Sequence, residues 1–585
     1  MINLKINGTA VQVGNGATIV EAAKQVNIRI PTLCYNPDLP AWASCGLCII
    51  KNVAPNGAVR MARACTTVCE ENMNIVTHDA DLIKVRRTVL ELILSNHPND
   101  CLKCPRNGSC ELQTLAAEFG IRDVPFARIK NALPIDDSNP SIILNPEKCI
   151  RCGRCVKVCQ QVQNVWAIEF LGRGIKSKIA SAADVPLGES PCIKCGQCAA
   201  HCPVGAIYER DETQEVWDAL LDPNKHTVVQ FAPAVRVGLA EEFGMKPGHL
   251  VTKKLYAALR KLGFKTVFDT NFSADLTIME EGTELVKRLT EKSKDIPLIT
   301  SCCPAWVDYM EKYYSDFIPN FSTAKSPQQM MGAMIKGYWA QKAGVDPKKV
   351  YSVSIMPCTA KKWECHRDEH MKSAGAGWDV DIVLTTRELA RMIKQAGIDI
   401  MNLPDEEADS PLGPYTGAGT LFGATGGVME AAVRSAYFLV TKKELGDVNF
   451  KPVRGLADVK EAEVDLDGTK IKIAVAHQMG NIEKVLDTIR ECRKAGKPSP
   501  WQFIEVMACR GGCVAGGGQP YGATDEIRTQ RAAGLYEDDA KSKIRCSHQN
   551  PDITAVYKDF LSTPGSEKAH KLLHTHYHAL ELYTK

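Results

Sequence analysis

The sequence predicts a multidomain protein that opens with small α+β modules and closes with a two-lobed α/β domain built on mostly parallel sheets. Three observations carry this. At 585 residues the chain is too long for one core, and length alone suggests roughly four domains. There are 24 cysteines, most of them in tight clusters within the first 210 residues. From about residue 226, apolar strands alternate with amphipathic helices, the mark of α/β architecture.

The composition is that of an ordinary globular protein, with 45% hydrophobic and 24% charged residues. A net charge of +3 gives no electrostatic reason to expect nucleic acid or a membrane as partner. The longest apolar stretches are strand-sized, and the opening "MINLKINGTAVQVGNG" alternates like a strand with no basic segment leading into an apolar one. The expected location is cytoplasmic. In such a compartment clustered thiols read as metal ligands, not disulfides.

Taken in order, residues 1–79 begin as a hairpin with turns at Asn7-Gly8 and Asn15-Gly16, followed by the helical pattern "ATIVEAAKQV". Cys34, then Cys45 and Cys48, then Cys65 suit a 2Fe–2S cluster in a ferredoxin-like (β-grasp) domain, with four-cysteine zinc as the competing reading. Cys69 rivals Cys65 as fourth ligand; Cys65 is preferred because "MARAC" ends a strand. Residues 80–120 hold "NHPNDCLKCPRNGSC", in which His97, Cys101, Cys104 and Cys110 describe either a 4Fe–4S cluster with one imidazole ligand or a zinc knuckle. Residues 121–212 carry "CIRCGRCVKVC" and "CIKCGQCAAHCP", each Cys-x2-Cys-x2-Cys-x3-Cys. In this two-cluster ferredoxin run the fourth cysteine of one motif serves the other cluster. One 4Fe–4S cluster is therefore assigned to Cys149, Cys152, Cys155 and Cys202, the second to Cys192, Cys195, Cys198 and Cys159. Four clusters in series carry electrons one at a time, and such a relay needs a terminus.

Residues 213–585 provide it. The strand candidates "TVVQFAP", "IPLITSCCP", "VYSVSIMPC", "KIAVAHQ" and "FIEVMAC" include three that run into cysteine: Cys302 and Cys303, Cys358, and Cys509 followed by Cys513. In open α/β sheets the functional crevice lies beyond the carboxyl ends of strands, so these distant thiols can meet in one pocket. The glycines at 511, 512 and 516–518 remove side chains and let backbone approach whatever occupies it.

The segments "TSCCPAW", "MPCTAKK" and "EVMACRGGCVAGGGQP" resemble the three signature segments of iron-only (FeFe) hydrogenases, and the N-terminal modules resemble those of the large members with four accessory clusters. The resemblance implies an H-cluster, a 4Fe–4S cubane joined through one cysteine to a di-iron unit carrying carbon monoxide, cyanide and a bridging dithiolate amine. It implies cubane ligation by Cys303, Cys358, Cys509 and Cys513, with Cys513 bridging. Lys361 would donate to cyanide, assisted by backbone around Ala232 and Pro233 and by Ser326 and Gln328, while Met356 and Met507 would line the carbonyl side. A proton path through Cys302, Glu281, Ser322 and Glu284 is implied likewise; without the family, those glutamates read as a solvated first helical turn.

The activity so implied is reversible heterolytic cleavage of H2. The overall resemblance, to catalytic subunits of multi-subunit NAD(P)-linked hydrogenases, implies that electrons leave to flavin- and NAD(P)-binding partner subunits; the chain itself has no convincing dinucleotide fingerprint, since "GAGTLFGATGG" at 417–427 follows a loop, not a strand. The alternatives are a stand-alone ferredoxin-dependent hydrogenase, a non-catalytic sensor or iron–sulfur assembly protein, and an electron-wiring subunit. Cys69, Cys365, Cys492 and Cys546 receive no role, and the His-rich tail "HKLLHTHYHAL" is read as structural.

Overall fold

The computed structural model describes residues 1–129, 133–466 and 468–584. The chain divides into two compact units: Met1–Val162 with Trp166–Cys192 and His201–Tyr208, and Gln163–Val165 with Ile193–Ala200 and Glu209–Lys585.

In the first unit, β1 (Ile2–Ile6) and β2 (Thr9–Val13) form the expected hairpin. Asn7 and Gly8 both adopt positive φ, 50° and 83°, as a two-residue turn of matching twist requires. Burial alternates along both strands, so one face is left for the helix Ile19–Gln25, whose start is fixed by a Thr18/Glu21 capping box. With β3 (Ile49–Val53), β4 (Val59–Arg63) and β5 (Asn74–Val76) the sheet order is β2-β1-β5-β3-β4, with β1 and β5 parallel. The helix Ala80–Ser95 is capped by Asp79, whose side chain accepts from Leu82 N at 2.8 Å. Two short ribbons complete the unit's strands: β6 (Ile142–Leu144) with β9 (Ile207–Glu209), and β7 (Glu169–Leu171) with β8 (Lys178–Ala180).

The second unit contains two four-stranded sheets. β10 (His226–Phe231), β11 (Thr266–Asp269), β13 (Val350–Met356) and β14 (Ile382–Thr385) run in the order β11-β10-β13-β14, all parallel. β12 (Leu298–Ile299), β15 (Val459–Leu466), β16 (Thr469–His477) and β17 (Phe503–Met507) run in the order β12-β17-β16-β15, parallel except for the β15–β16 hairpin. Every residue of β11, β14 and β17 is buried, which is why these segments are mostly apolar and do not alternate. β15 alternates, as an edge strand with one wet face should. The helix Thr270–Thr290 is buried through most of its first sixteen residues. Its start is held by Asp269, which caps it and pairs with Arg236 at 2.8 and 3.0 Å, both side chains fully buried. Among the described residues, no helix is long and apolar enough to cross a membrane.

Candidate active site

All the strand-terminal cysteines open onto one cavity of the second unit. Cys302, Cys303, Cys358, Cys509 and Cys513 line it, with Cys195 at its wall. Cys358 follows β13, Cys509 and Cys513 follow β17, and Cys302 and Cys303 follow β12, so three parallel strands deliver their carboxyl ends to one place. The remaining wall is largely apolar, including Ala232, Pro233, Met356, Phe422 and Met507, and Lys361 is the one cationic side chain lining it among the described residues.

The glycines have a physical reason beyond the one expected. Gly512 and Gly516 do line the cavity, yet a Cβ at Gly516 would stand 2.1 Å from Pro357 O, and one at Gly517 2.6 Å from Cys195 O. A Cβ at Gly512 would meet Thr425 N at 2.6 Å and Met507 Sδ at 2.8 Å. The segment is side-chain-free because it packs backbone to backbone against the loops that carry the other cysteines.

Burial pushes each cavity thiol upward: Cys358 to about 12, Cys303 upward, Cys509 and Cys302 well above the ordinary value. Several buried soft donors around one space are tolerable as thiolates only against bound cationic metal, so the donor set fits an iron–sulfur group. Gln197, between Cys195 and Cys198, donates to Cys509 Sγ at 3.1 Å and to Ala515 O at 3.1 Å. No spacing in the sequence pointed to it.

Lys361 donates to Glu364 at 2.8 Å and to Cys302 O at 3.2 Å. Glu364 in turn accepts from Ser326 Oγ at 2.8 Å and Gln328 Nε2 at 3.1 Å. Ser326 therefore turns away from the cavity and buttresses Glu364, while Gln328 also reaches the wall. The expected backbone donors around Ala232 and Pro233 need correction. Ala232 N donates to Ile355 O at 3.0 Å within the sheet, Pro233 has no N–H, and Pro233 O accepts from Arg236 at 3.1 Å. This segment shapes the wall without offering those two residues as donors.

Glu281 lies mid-helix and is 1% exposed, which overturns the solvated-turn reading. Burial and the nearby Glu284 push it up to about 8. Its polar neighbours are Ser322 and the Ser301 backbone, though neither of its oxygens has a partner within bonding distance among the described residues. Ser322 Oγ donates to Glu284 at 3.1 Å, and Arg288, unforeseen from sequence, donates to Glu284 at 2.6 Å. The Leu-Leu-His tail is structural, with His574 bridging Thr323 and Glu280 at 2.8 and 3.1 Å.

In the first unit, Cys48 Sγ lies 3.3 Å from Cys65 Sγ, and Cys34 is within sulfur hydrogen-bonding reach of Cys45 and Cys65. Cys69 sits in the apolar core, where burial and Glu21, not another thiol, raise it. Cys104 packs against Gly205, where a Cβ would stand 2.5 Å from its sulfur and displace it. The two ferredoxin motifs share one backbone pattern: positive φ at Arg151 and Gly153 (57° and 78°) in the first and at Lys194 and Gly196 (61° and 69°) in the second. Cys202 and Cys149 are the thiols acting on Cys152, and Cys192 is the one acting on Cys159.

Family models match along the chain in this same order. They are a 2Fe–2S iron-sulfur cluster binding domain (1–80), the NADH-ubiquinone oxidoreductase-G iron-sulfur binding region (86–125), a 4Fe–4S dicluster domain (148–206), the C-terminal domain of the iron-only hydrogenase large subunit (225–517) and the iron hydrogenase small subunit (525–580). The NADP-reducing hydrogenase subunit HndD of Solidesulfovibrio fructosivorans is 46% identical, with 99% of each chain covered. The chain belongs to the iron-only hydrogenase family. Iron hydrogenase 1 of Clostridium pasteurianum is 40% identical over 99% of this hydrogenase and 100% of that one. The FeFe-hydrogenase HydA1 from Chlamydomonas reinhardtii, in a variant form, matches in structure with a TM-score of 0.56 and 43% identity, over 63% of this chain and 99% of that chain. Cluster-binding domains and the H-cluster-bearing hydrogenase domain are thus both present, and the protein is an oxidoreductase acting on dihydrogen.

Proposed function

We propose that the chain cleaves and forms H2 at an H-cluster held by Cys303, Cys358, Cys509 and Cys513, with Cys513 shared between its two halves. The observation that carries this is the convergence of these cysteines, up to 210 positions apart, on one apolar cavity. When bound, the group supplies an electron-poor iron position and a pendant amine base, the two elements that splitting so weak an acid as H2 demands.

The protein's own groups do the rest. Lys361, held by Glu364, presents a buried ammonium to an anionic ligand such as cyanide, and Gln328 adds a polar edge. Met356 and Met507 keep the cavity dry and offer soft contacts. Cys302 holds a proton at the cavity edge because burial and neighbouring negative charge keep its thiol neutral. Glu281 is the next station, protonated near neutral pH, and Ser322 and Glu284 lead outward, with Arg288 holding the Glu284 carboxylate in place. Gln197 joins the segment carrying Cys195 and Cys198 to Cys509 and supports electron passage on that side.

The cofactor complement is one 2Fe–2S cluster (Cys34, Cys45, Cys48, Cys65), one 4Fe–4S cluster on His97, Cys101, Cys104 and Cys110, and two ferredoxin-type 4Fe–4S clusters paired crosswise. The thiols acting on Cys152 and on Cys159 support that crossing. The domain limits 1–79, 80–120, 121–212 and 213–585 follow from these groups. Flavin- and NAD(P)-binding partner subunits in a reducing, cytoplasmic compartment complete the reading, supported by likeness to a relative named as an NADP-reducing hydrogenase subunit.

Maturation of the Cys513→Ser chain tests it. H2 oxidation is expected to vanish with the carbon monoxide and cyanide infrared bands, while the accessory-cluster signals persist. Retention of those bands and of turnover would refute the assignment.

A further inference from the structure

Cys546, which the hydrogenase chemistry leaves unused, stands beside His548 and Glu444, and one donor atom from each lies within 4.8 Å of the others. Cys546 is 2% exposed, the His548 side chain 3%, and the Glu444 side chain 54%, so two donors are sheltered and the third faces solvent as an entry side. The imidazole is fixed before any cation arrives. Its Nδ1 lies 3.1 Å from Ser435 Oγ, Phe438 stacks on the ring at 4.3 Å and 5°, and Nε2 faces Glu444 at 3.1 and 3.4 Å. This is the outer-shell arrangement that orients a metal-binding histidine through its other nitrogen. The stretch 546–548 is anchored in turn, since Ser547 Oγ and Asn550 Nδ2 donate to the buried Asp275 at 2.7 and 3.1 Å. Burial pushes the Cys546 thiol up to about 11; Arg434 and Arg545 favour the thiolate and Glu444 and Asp539 oppose it, so the proton leaves only against a bound cation.

We propose that Cys546, His548 and Glu444 form a binding site for one zinc-class divalent cation, separate from the iron–sulfur chain and tying residues 442–450 to residues 546–549. One thiolate, one imidazole and one carboxylate with an open fourth position is a donor set that borderline-soft divalent ions take in preference to calcium or magnesium. Binding displaces the thiol proton to solvent, and no electron changes hands.

The test uses the fully iron-loaded, desalted chain with one equivalent of zinc sulfate, read by zinc content after gel filtration and by zinc K-edge absorption, to which iron is silent. One zinc per chain is expected, with one sulfur neighbour at about 2.3 Å. Cys546→Ser should remove the sulfur contribution and weaken binding by more than the roughly 10–100-fold typical of outer-shell losses. Glu444→Gln, exposed and harmless to folding, should weaken it about tenfold with iron content unchanged. The proposal falls if the unmodified chain retains no more zinc than Cys546→Ser, or if its bound zinc shows no sulfur neighbour. It also falls if Glu444→Gln and Cys546→Ser both bind as the parent does.

Discussion

Glu281 shows how far a single side chain can be moved by its surroundings. Its carboxyl is buried in the middle of a helix and pushed up to about 8, whereas an exposed glutamate ionises near ~4.3. Between those values the native state holds a proton that the unfolded state has released. The resulting stabilisation is therefore complete below about 4.3 and is lost as pH rises through about 8. Glu281→Gln should remove that slope: relative to the variant, the parent's melting temperature should fall from pH 5 to pH 8, and a parent that gains instead would contradict the assignment. The same substitution should reduce H2 turnover by at least about 100-fold with infrared bands unchanged, the scale on which general acid–base groups act. Full turnover in a loaded variant would remove Glu281 from the proton path.

At the level of elements, the cavity is a product of strand ends and of glycine backbone that fits between them. Gly516→Ala would press a methyl against Pro357 O, which has no flexible end to yield, so the Cys358 and Cys513 loops must part. Cubane incorporation is expected to drop severalfold, read as iron per chain, while the N-terminal clusters load normally. Normal iron content would sink the argument. Much of this layer was legible in the sequence. The mostly apolar runs of β10, β13 and β17 are buried parallel strands, and each ends in or leads directly into a site residue. What escaped was lateral support. Glu364 takes Ser326 and Gln328 from positions 38 and 36 residues earlier, and Gln197 reaches Cys509 across 312. No periodicity encodes such contacts, because they depend on how separate elements pack. The solvated-turn reading of Glu281, the one made without the family, failed for the same reason: a Glu-Glu pair in a helix carries no sign of what covers it. Ala232 was misassigned because a backbone N–H at a strand end can serve either the sheet or a ligand, and only the register of β10 against β13 decides.

For the whole molecule, the order of cluster-binding modules ahead of the H-cluster domain implies that chemistry and delivery can be separated. Cys45→Ser should remove the 2Fe–2S signal and lower electron delivery to a protein partner by tenfold or more. H2 evolution from a small reduced dye that reaches other clusters should stay within about twofold, because this thiol belongs to the first unit's own cysteine loop and supplies nothing to the catalytic cavity. Equal losses with both donors would show that the first cluster is needed for more than wiring.

The helix Thr270–Thr290 serves as a common spar: Asp275 near its start pins the segment after residue 545, and Glu281 and Glu284, six and nine residues on, carry the proposed proton path. A slight roll of that spar would leave every iron in place yet misalign the carboxyls. Wear in this enzyme would then show first as sluggishness in a brown, fully charged protein, well before any fading of its colour.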